Sequence, residues 1–142
     1  MPTAVWRSLP LLGNERIDAQ HRFLQGAIQQ LAEDIQAKRS AEHLEASLAL
    51  ISQRTVEHFH TEEEVLKASG DPDRFLHADQ HRELILQVRR IQYATAKGDP
   101  LREGVACFLG DWYEEHVQKV DLERAAYLRD AEATPQLEPT PA

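Results

Sequence analysis

Seven side chains that can bind metal ions are the residues of this sequence best suited to chemistry: His21, His58, Glu62, His77, His81, His116 and Asp121. The first six interrupt stripes of apolar residues spaced alternately three and four apart, the pattern of a helix face packed in a core. His21, for example, falls between Ile17 and Leu24. An ionisable group in such a core costs several kcal/mol unless it is paired or bound to a metal. We therefore interpret the set as one metal cluster.

The spacing within the set predicts how the side chains are presented. His58 and Glu62 are four residues apart, so both project from one helix face about 6 Å from each other, and the pair His77 and His81 does the same. His116 and Asp121 are five apart, which rotates the second side chain by about 140° on a regular helix. Either a local π-type turn or a carboxylate that reaches across the bundle is then required.

Five imidazoles and two carboxylates suit a pair of borderline transition metals better than magnesium or calcium, which prefer oxygen ligands. Iron is the first candidate, followed by manganese and zinc. If both carboxylates bridge the metals and one solvent-derived oxygen bridges as well, each metal receives three oxygens. The five histidines then divide three and two. One ion becomes six-coordinate and the other five-coordinate, with a vacancy for a small ligand.

Glycine, proline and capping residues divide the chain into four predicted helices. They span residues 17–37, 41–69, 73–97 and 99–128. We predict Asp18 as the cap of the first helix, and Asp99 as the cap of the fourth, with Pro100 in its first turn. The connections are short, which favours antiparallel neighbours. The predicted fold is therefore all-α, an antiparallel up-down-up-down four-helix bundle.

Residues 17–130 form the predicted bundle, residues 1–16 an N-terminal arm packed on it, and residues 131–142 a disordered tail rich in proline. In an antiparallel arrangement the seven candidate ligands lie roughly 6 to 18 Å from the same end. His43 lies at the opposite end and His60 points away from the seam, so both are left out of the site. Glu63 is a candidate hydrogen-bond partner that orients a ligand histidine.

Length and composition limit the classes of function. The chain has 142 residues, the size of one domain, and a net charge of -8, which disfavours binding to nucleic acid or to an anionic membrane. Cys107 is the only cysteine, which excludes an intrachain disulfide. The sequence contains neither a signal-peptide pattern nor an apolar stretch near 20 residues. We expect a cytoplasmic protein.

Four segments resemble the hemerythrins, in particular the bacterial single-domain members of that family, and the resemblance covers roughly residues 6–128. The segments are Ile17-Asp18-Ala19-Gln20-His21, His58-Phe59-x-x-Glu62-Glu63, Pro72 followed by His77-x-x-x-His81, and Trp112-x-x-x-His116-x-x-x-x-Asp121. The resemblance implies a non-haem di-iron site, two Fe ions with a bridging oxo or hydroxo group, that binds O2 reversibly.

The resemblance also implies a role for each ligand. His77, His81 and His116 would hold the coordinatively filled iron. His21 and His58 would hold the open iron. Glu62 and Asp121 would bridge the two ions.

The chain departs from the family at a few positions. Tyr113 stands where a leucine usually lines the O2 pocket, beside Trp112. Its phenol could hydrogen-bond the bound ligand, supply a proton or an electron, or ligate iron; alternatively, the side chain is rotated and its hydroxyl reaches solvent. Leu66 stands where methionine is common and Asp71 where an aromatic often precedes proline, and we interpret both as packing changes.

The sequence is compatible with three functions. The first is an O2 carrier or store, which is a binding protein and not an enzyme. The second is a sensor of O2, nitric oxide or redox state that acts through an unidentified partner. The third is an enzyme of peroxide or nitric oxide turnover that uses Tyr113.

Overall fold

The computed structural model describes residues 5–129, and all regular structure in that range is helical. The elements are α1 (Glu15–Gln36), α2 (Ala41–Ala68), α3 (Arg74–Ala96), α4 (Glu103–Glu115), a π-helical turn (His116–Asp121) and α5 (Ala125–Leu128). The predicted all-α four-helix bundle is confirmed. The predicted tail, and residues 1–4 of the predicted arm, lie outside the described range. No helix within that range is both long and apolar enough to cross a membrane.

Helix α1 begins earlier than predicted because Asn14, not Asp18, caps it. The Asn14 side chain accepts hydrogen bonds from the N–H groups of Arg16 and Ile17, both at 3.1 Å. The Asp18 carboxylate instead accepts from the N–H of Leu12 at 3.0 Å. Asp18 therefore fastens the preceding segment to the helix, and its prediction as the cap was wrong.

Helix α4 begins at Glu103, so the prediction of a start at Asp99 was also wrong. Gly98 ends the preceding turn at a φ of +108°, a conformation that glycine adopts without steric cost. The chain then runs without helical structure to Arg102, and Leu101 is buried in the core on the way. Burial of Leu101 in the core favours this path of the chain over a helix that begins at Asp99.

Residues 5–14 form a segment, here called the arm, that packs across α1 and α4. Val5 and Trp6 are both buried in the main apolar cluster. The carbonyl of Trp6 accepts a hydrogen bond from Gln25 of α1 at 2.8 Å. The N–H of Ser8 donates to Glu114 of α4 at 3.2 Å. Hydrogen bonds from two helices therefore hold the arm in place.

Two apolar clusters of the core lie on either side of the predicted ligand layer. The larger one contains Leu24 and Phe59, and the smaller one contains Ile17 and Leu66. Along α1, His21 lies between Ile17 and Leu24, and along α2, Glu62 lies between Phe59 and Leu66. The polar layer is thus enclosed above and below by apolar side chains, which keeps it in a low-dielectric environment.

Candidate metal centre

The structure brings all seven predicted residues together in the interior of the bundle. One comes from α1, two from α2, two from α3 and two from the π-helical turn, and none is more than 5% exposed: His21, His58, Glu62, His77, His81, His116 and Asp121. His60 is exposed, and His43 hydrogen-bonds Asp34 at 2.9 Å. Neither of these two histidines is part of the cluster.

The π-helical turn resolves the five-residue spacing of His116 and Asp121. Within it the backbone is wound wider than an α-helix, and the N–H of Leu122 donates to the carbonyl of Val117, five residues earlier, at 3.0 Å. One extra residue per turn brings His116 and Asp121 onto the same face. Their side chains approach to 3.3 Å, between Nε2 and Oδ1. Of the two arrangements that the sequence left open, the structure has the π-type turn.

The two carboxylate oxygens of Glu62 face different groups of histidines. Oε1 lies 3.2 Å from His81 Nε2 and 3.4 Å from His77 Nε2. Oε2 lies 2.9 Å from His58 Nε2 and 3.2 Å from His21 Nε2. Glu62 therefore lies between the two histidines of α3 on one side and one histidine from each of α1 and α2 on the other.

Asp121 divides its oxygens in the same way. Oδ1 lies 3.0 Å from His77 Nε2 and 3.3 Å from His116 Nε2. Oδ2 faces the other group, at 3.6 Å from His21 Nε2. Both carboxylates thus span the same two sets of nitrogens: a three-histidine group (His77, His81, His116) and a two-histidine group (His21, His58).

Several of these atoms are buried without any hydrogen-bond partner, which is the state expected of metal ligands. Within residues 5–129 they include the Nε2 atoms of His77, His81 and His116, Glu62 Oε1 and both carboxylate oxygens of Asp121. Three imidazole nitrogens and three carboxylate oxygens are all donors that a divalent transition metal accepts. His21 differs, because its unpartnered nitrogen is Nδ1. The donor set fits a pair of metal ions.

Outer hydrogen bonds orient two of the histidines. His58 Nδ1 donates to the Gln20 side-chain oxygen at 2.8 Å, and His81 Nδ1 donates to Glu63 at 2.8 Å. A proton on Nδ1 leaves the Nε2 lone pair directed into the cluster. The sequence indicated Glu63 for this role but missed Gln20, whose only signal was its place beside His21. Thr61 in turn accepts a hydrogen bond from Gln20 at 3.1 Å.

The charges of the buried site compensate one another. Burial acts to raise the pKa of Glu62, but His58 and His21 beside it hold that pKa well below its usual range. Burial acts to lower the pKa of His77, but the carboxylates of Asp121 and Glu62, 3.0 and 3.4 Å from its Nε2, outweigh this and raise the pKa to about 9. Without metal, protons on histidine therefore balance the carboxylates. A bound dication replaces those protons.

Aromatic rings cover the histidines. Phe59 stacks on His81 with ring centroids 3.8 Å apart, and Trp112 stacks on His116 at 4.5 Å. The ring centroid of Trp6 lies 6.1 Å from that of His21. These contacts restrict the imidazole rings and keep water away from the nitrogen atoms.

Tyr113 is buried, which contradicts the interpretation that its hydroxyl reaches solvent. It is 1% exposed, its ring stacks on Trp6 at 4.9 Å, and its hydroxyl donates to Thr55 Oγ1 at 2.7 Å. Burial raises the pKa of its phenol. The partner Thr55 was not identified from the sequence, because nothing in the spacing relates residues 55 and 113.

Asp71 was interpreted as a packing change, and this was wrong. Its carboxylate is fully buried and forms an ion pair with Arg124, which follows the π-helical turn. An acidic side chain at this position therefore makes a specific charged contact in the interior. No spacing or motif in the sequence indicates the partner, which lies more than fifty residues away.

Fold and site together define a four-helix bundle with a buried cluster of histidine and carboxylate side chains that can hold metal ions. Residues 12–128 match the family model described as the hemerythrin HHE cation binding domain, and the chain belongs to the hemerythrin family.

Solved hemerythrin structures have the same fold. The crystal structure of a wild-type hemerythrin is 22% identical to this chain, with a TM-score of 0.79, and the match covers 92% of this chain and 98% of that one. Hemerythrin variants in which a leucine is replaced by tyrosine or by alanine also give 22% identity and a TM-score of 0.79, covering 92% of this chain and 97% of theirs. No curated protein matches the chain.

Proposed function

We propose that this protein holds two iron ions in the buried cluster and binds O2 reversibly as a carrier or store. The observation that carries the proposal is the division of the carboxylate oxygens: Glu62 and Asp121 each direct one oxygen to the three-histidine group and the other to the two-histidine group. Two carboxylates that each face two separate nitrogen sets are suited to bridge two metal ions. Family membership supports a cation at this place.

The unequal division of the histidines supports a single position for an external ligand. His77, His81 and His116 with one oxygen of each carboxylate would offer five donors to one ion, whereas His21 and His58 would offer the other ion one nitrogen fewer. When bound, the iron pair supplies two electrons to O2 and recovers them when O2 leaves. The protein must then protect this exchange from water and stray protons.

The residues around the two-histidine group are suited to that protection. Trp6 and Tyr113 stack on each other and are both buried, and the ring centroid of Trp6 lies 6.1 Å from that of His21. Phe59 is 1% exposed and contacts the ring of His58 at a centroid distance of 5.8 Å. An apolar enclosure of this kind disfavours entry of water and release of charged products, which is what reversible binding requires.

The contacts of Tyr113 do not favour the alternative in which it acts as a proton donor in an enzyme. Its hydroxyl hydrogen is donated to Thr55, and burial raises its pKa further above neutrality. A phenol in this state is a poor general acid at neutral pH. We therefore propose that Tyr113 contributes packing and exclusion of water, and that the protein is a binding protein and not an enzyme.

Metal analysis followed by spectroscopy tests the proposal. The purified protein should contain two irons per chain and should show charge-transfer absorption in the visible range in its oxidised form. The reduced protein should develop an O2-dependent visible spectrum that reverts under vacuum. Immediate oxidation that vacuum does not reverse would contradict the carrier function, and uptake of fewer than two metal ions would contradict the site. A cytoplasmic location stays a prediction from the sequence.

A further inference from the structure

A charged cluster outside the ligand layer links Asp71 to Arg124. Asp71 accepts hydrogen bonds from both Nε and Nη2 of Arg124, with Nε at 3.1 Å from Oδ2, and its side chain is 0% exposed. Asp71 Oδ1 also accepts from the N–H of Asp73 at 2.9 Å, and Arg124 Nη1 lies 3.1 Å from Asp73 Oδ2. Asp71 is buried and Arg124 is 21% exposed, so burial costs mainly the hydration of the carboxylate, and its hydrogen bonds compensate that cost.

On the Asp71 side, the cluster is connected to two ligand-bearing segments. The N–H of Asp71 donates to the carbonyl of Leu66 at 3.0 Å, one turn beyond Glu62 in α2. The carbonyl of Asp73 accepts from the N–H of His77 at 3.1 Å. A single loop therefore joins the end of the helix that presents Glu62 to the first turn of the helix that presents His77.

On the Arg124 side, the cluster is connected to the π-helical turn. The N–H of Arg124 donates to the carbonyls of Val120 at 3.2 Å and Asp121 at 3.0 Å. Regular helix does not resume until Ala125. The π-helical turn is an uncommon backbone conformation, and the turn residues 122–124 separate its end from α5. The guanidinium of Arg124 ties this end to Asp71, while the burial of Leu128 in the smaller apolar cluster and a hydrogen bond from Ser69 Oγ to the carbonyl of Tyr127 at 2.8 Å hold the chain that follows.

We propose that Asp71 and Arg124 are positioning residues for the metal centre: their ion pair holds the π-helical turn against the loop before α3, so that Asp121 and His77 face each other at 3.0 Å. Neither side chain is one of the candidate ligands. The ion pair acts through the backbone of the loop before α3 on one side and of the π-helical turn on the other. The inference rests on the proposed function in so far as metal ions occupy the cluster. The main expected effect of the ion pair is that the protein loses bound metal more slowly.

Release of iron to a chelator tests this role. Arg124→Gln should release iron faster than the parent protein, with an affinity for iron lower by about 10 to 100 times, the usual effect of losing a group that orients metal ligands. Arg124→Lys should recover only part of the loss, since lysine keeps the charge but lacks the fork that meets both carboxylate oxygens. Arg82→Gln is the matched control, because Arg82 pairs with Asp79 on the exposed surface.

A second comparison separates positioning from general loss of stability. Leu44→Ala removes a buried side chain at the opposite end of α2, about 27 Å from Glu62 along the helix. At a denaturant concentration that gives both variants the same free energy of unfolding, Arg124→Gln should still lose iron faster. Equal release rates for the two variants would overturn the proposal.

Hydrogen exchange in the metal-free protein provides a readout that does not depend on iron. The amides of Leu122 and Arg124 donate hydrogen bonds to carbonyls of the π-helical turn. They should exchange faster in Arg124→Gln, and their exchange should be unchanged in Arg82→Gln. Unchanged exchange at both amides would overturn the positioning role even if iron is bound. If the parent protein takes up no iron, the proposed function fails, while the exchange experiment still decides whether the pair holds the turn.

Discussion

Carboxylates balance the charge of the histidine side chains in the site. The stability of the metal-free protein should therefore change with pH in a definite direction. His77 illustrates the effect: Asp121 and Glu62 raise its pKa to about 9 against the opposing effect of burial. The pKa values of His21 and His81 are also raised, in both cases because the adjacent carboxylate of Glu62 outweighs burial, whereas burial lowers that of His58. Three of these four shifts therefore favour the protonated folded state.

The free energy of unfolding of the metal-free protein should fall as pH rises from about 6.5 to 9. A raised pKa stabilises the folded state fully below the unfolded value of 6.5, and this stabilisation is lost as pH rises through the folded value of about 9. The contribution of His77 is up to about 3 kcal/mol. Urea unfolding across this range measures it. The metal-loaded protein is the control, because metal replaces the proton; a metal-free stability that is flat or rises would contradict the prediction.

Tyr113→Phe should lower stability with little effect on oxidation of the reduced protein. The change removes the hydroxyl bonded to Thr55 but keeps the ring that stacks on Trp6. Loss of one buried hydrogen bond costs about 1 kcal/mol. Urea unfolding and the rate at which the O2-exposed protein oxidises measure the two effects. A large change in the oxidation rate would mean that the hydroxyl takes part in the chemistry; Tyr113→Leu, which also removes the stacking, is the comparison.

At the scale of elements, the arm and α4 fit together through a close backbone contact. A Cβ atom on Gly110 would lie 2.0 Å from the carbonyl oxygen of Val5, a distance at which the backbone of the arm must move. Gly110 therefore permits the approach that places Trp6 on Tyr113. Glycine in a helix interior is unfavourable by itself, so its presence at this position reflects packing and not helix propensity.

Gly110→Ala should displace the arm, and Gly104→Ala in the same helix should not. A Cβ on Gly104 meets nothing within 4 Å, so that variant tests the effect of alanine alone. We expect Gly110→Ala to cost about 1 to 3 kcal/mol by overpacking. Tryptophan fluorescence should shift to longer wavelength as Trp6 becomes exposed, and oxidation after O2 exposure should be faster. If the two variants behave alike, the arm does not depend on this contact.

On the scale of the whole molecule, the bundle contains a polar layer between two apolar clusters. The side chains of this layer come from α1, α2, α3 and the π-helical turn. Contacts within the layer therefore connect these four elements to one another. Unpartnered buried donors and acceptors are costly when nothing binds them. Metal ions that satisfy these atoms should therefore stabilise the entire bundle and not the site alone.

Removal of metal should lower the melting temperature of the whole chain. A ligand that binds only the folded state adds about 4 kcal/mol at a thousandfold excess over its Kd. Calorimetry of the loaded protein, of the protein stripped by a chelator and of the stripped protein after iron is restored measures the difference. Recovery on reloading is the control for damage. Equal melting temperatures in all three samples would show that the cluster is stable without metal.

Much of the fold and most of the candidate site followed from the sequence because they depend on local periodicity. Side-chain type and the spacing of three and four residues determine which helix face carries His21, Glu62 or His77. The five-residue spacing of His116 and Asp121 also restricted the local backbone to two solutions. These inferences concern one helix at a time, and only the common depth of the ligands also required the predicted antiparallel order of the helices.

Tertiary structure decided what depends on contacts between distant segments. It determined that Asn14 and not Asp18 caps α1, because the arm takes up the Asp18 carboxylate. It paired Tyr113 with Thr55, and Asp71 with Arg124, across separations of more than fifty residues. A polar side chain takes whichever partner folding brings within about 3 Å, and no periodicity along the chain encodes that partner.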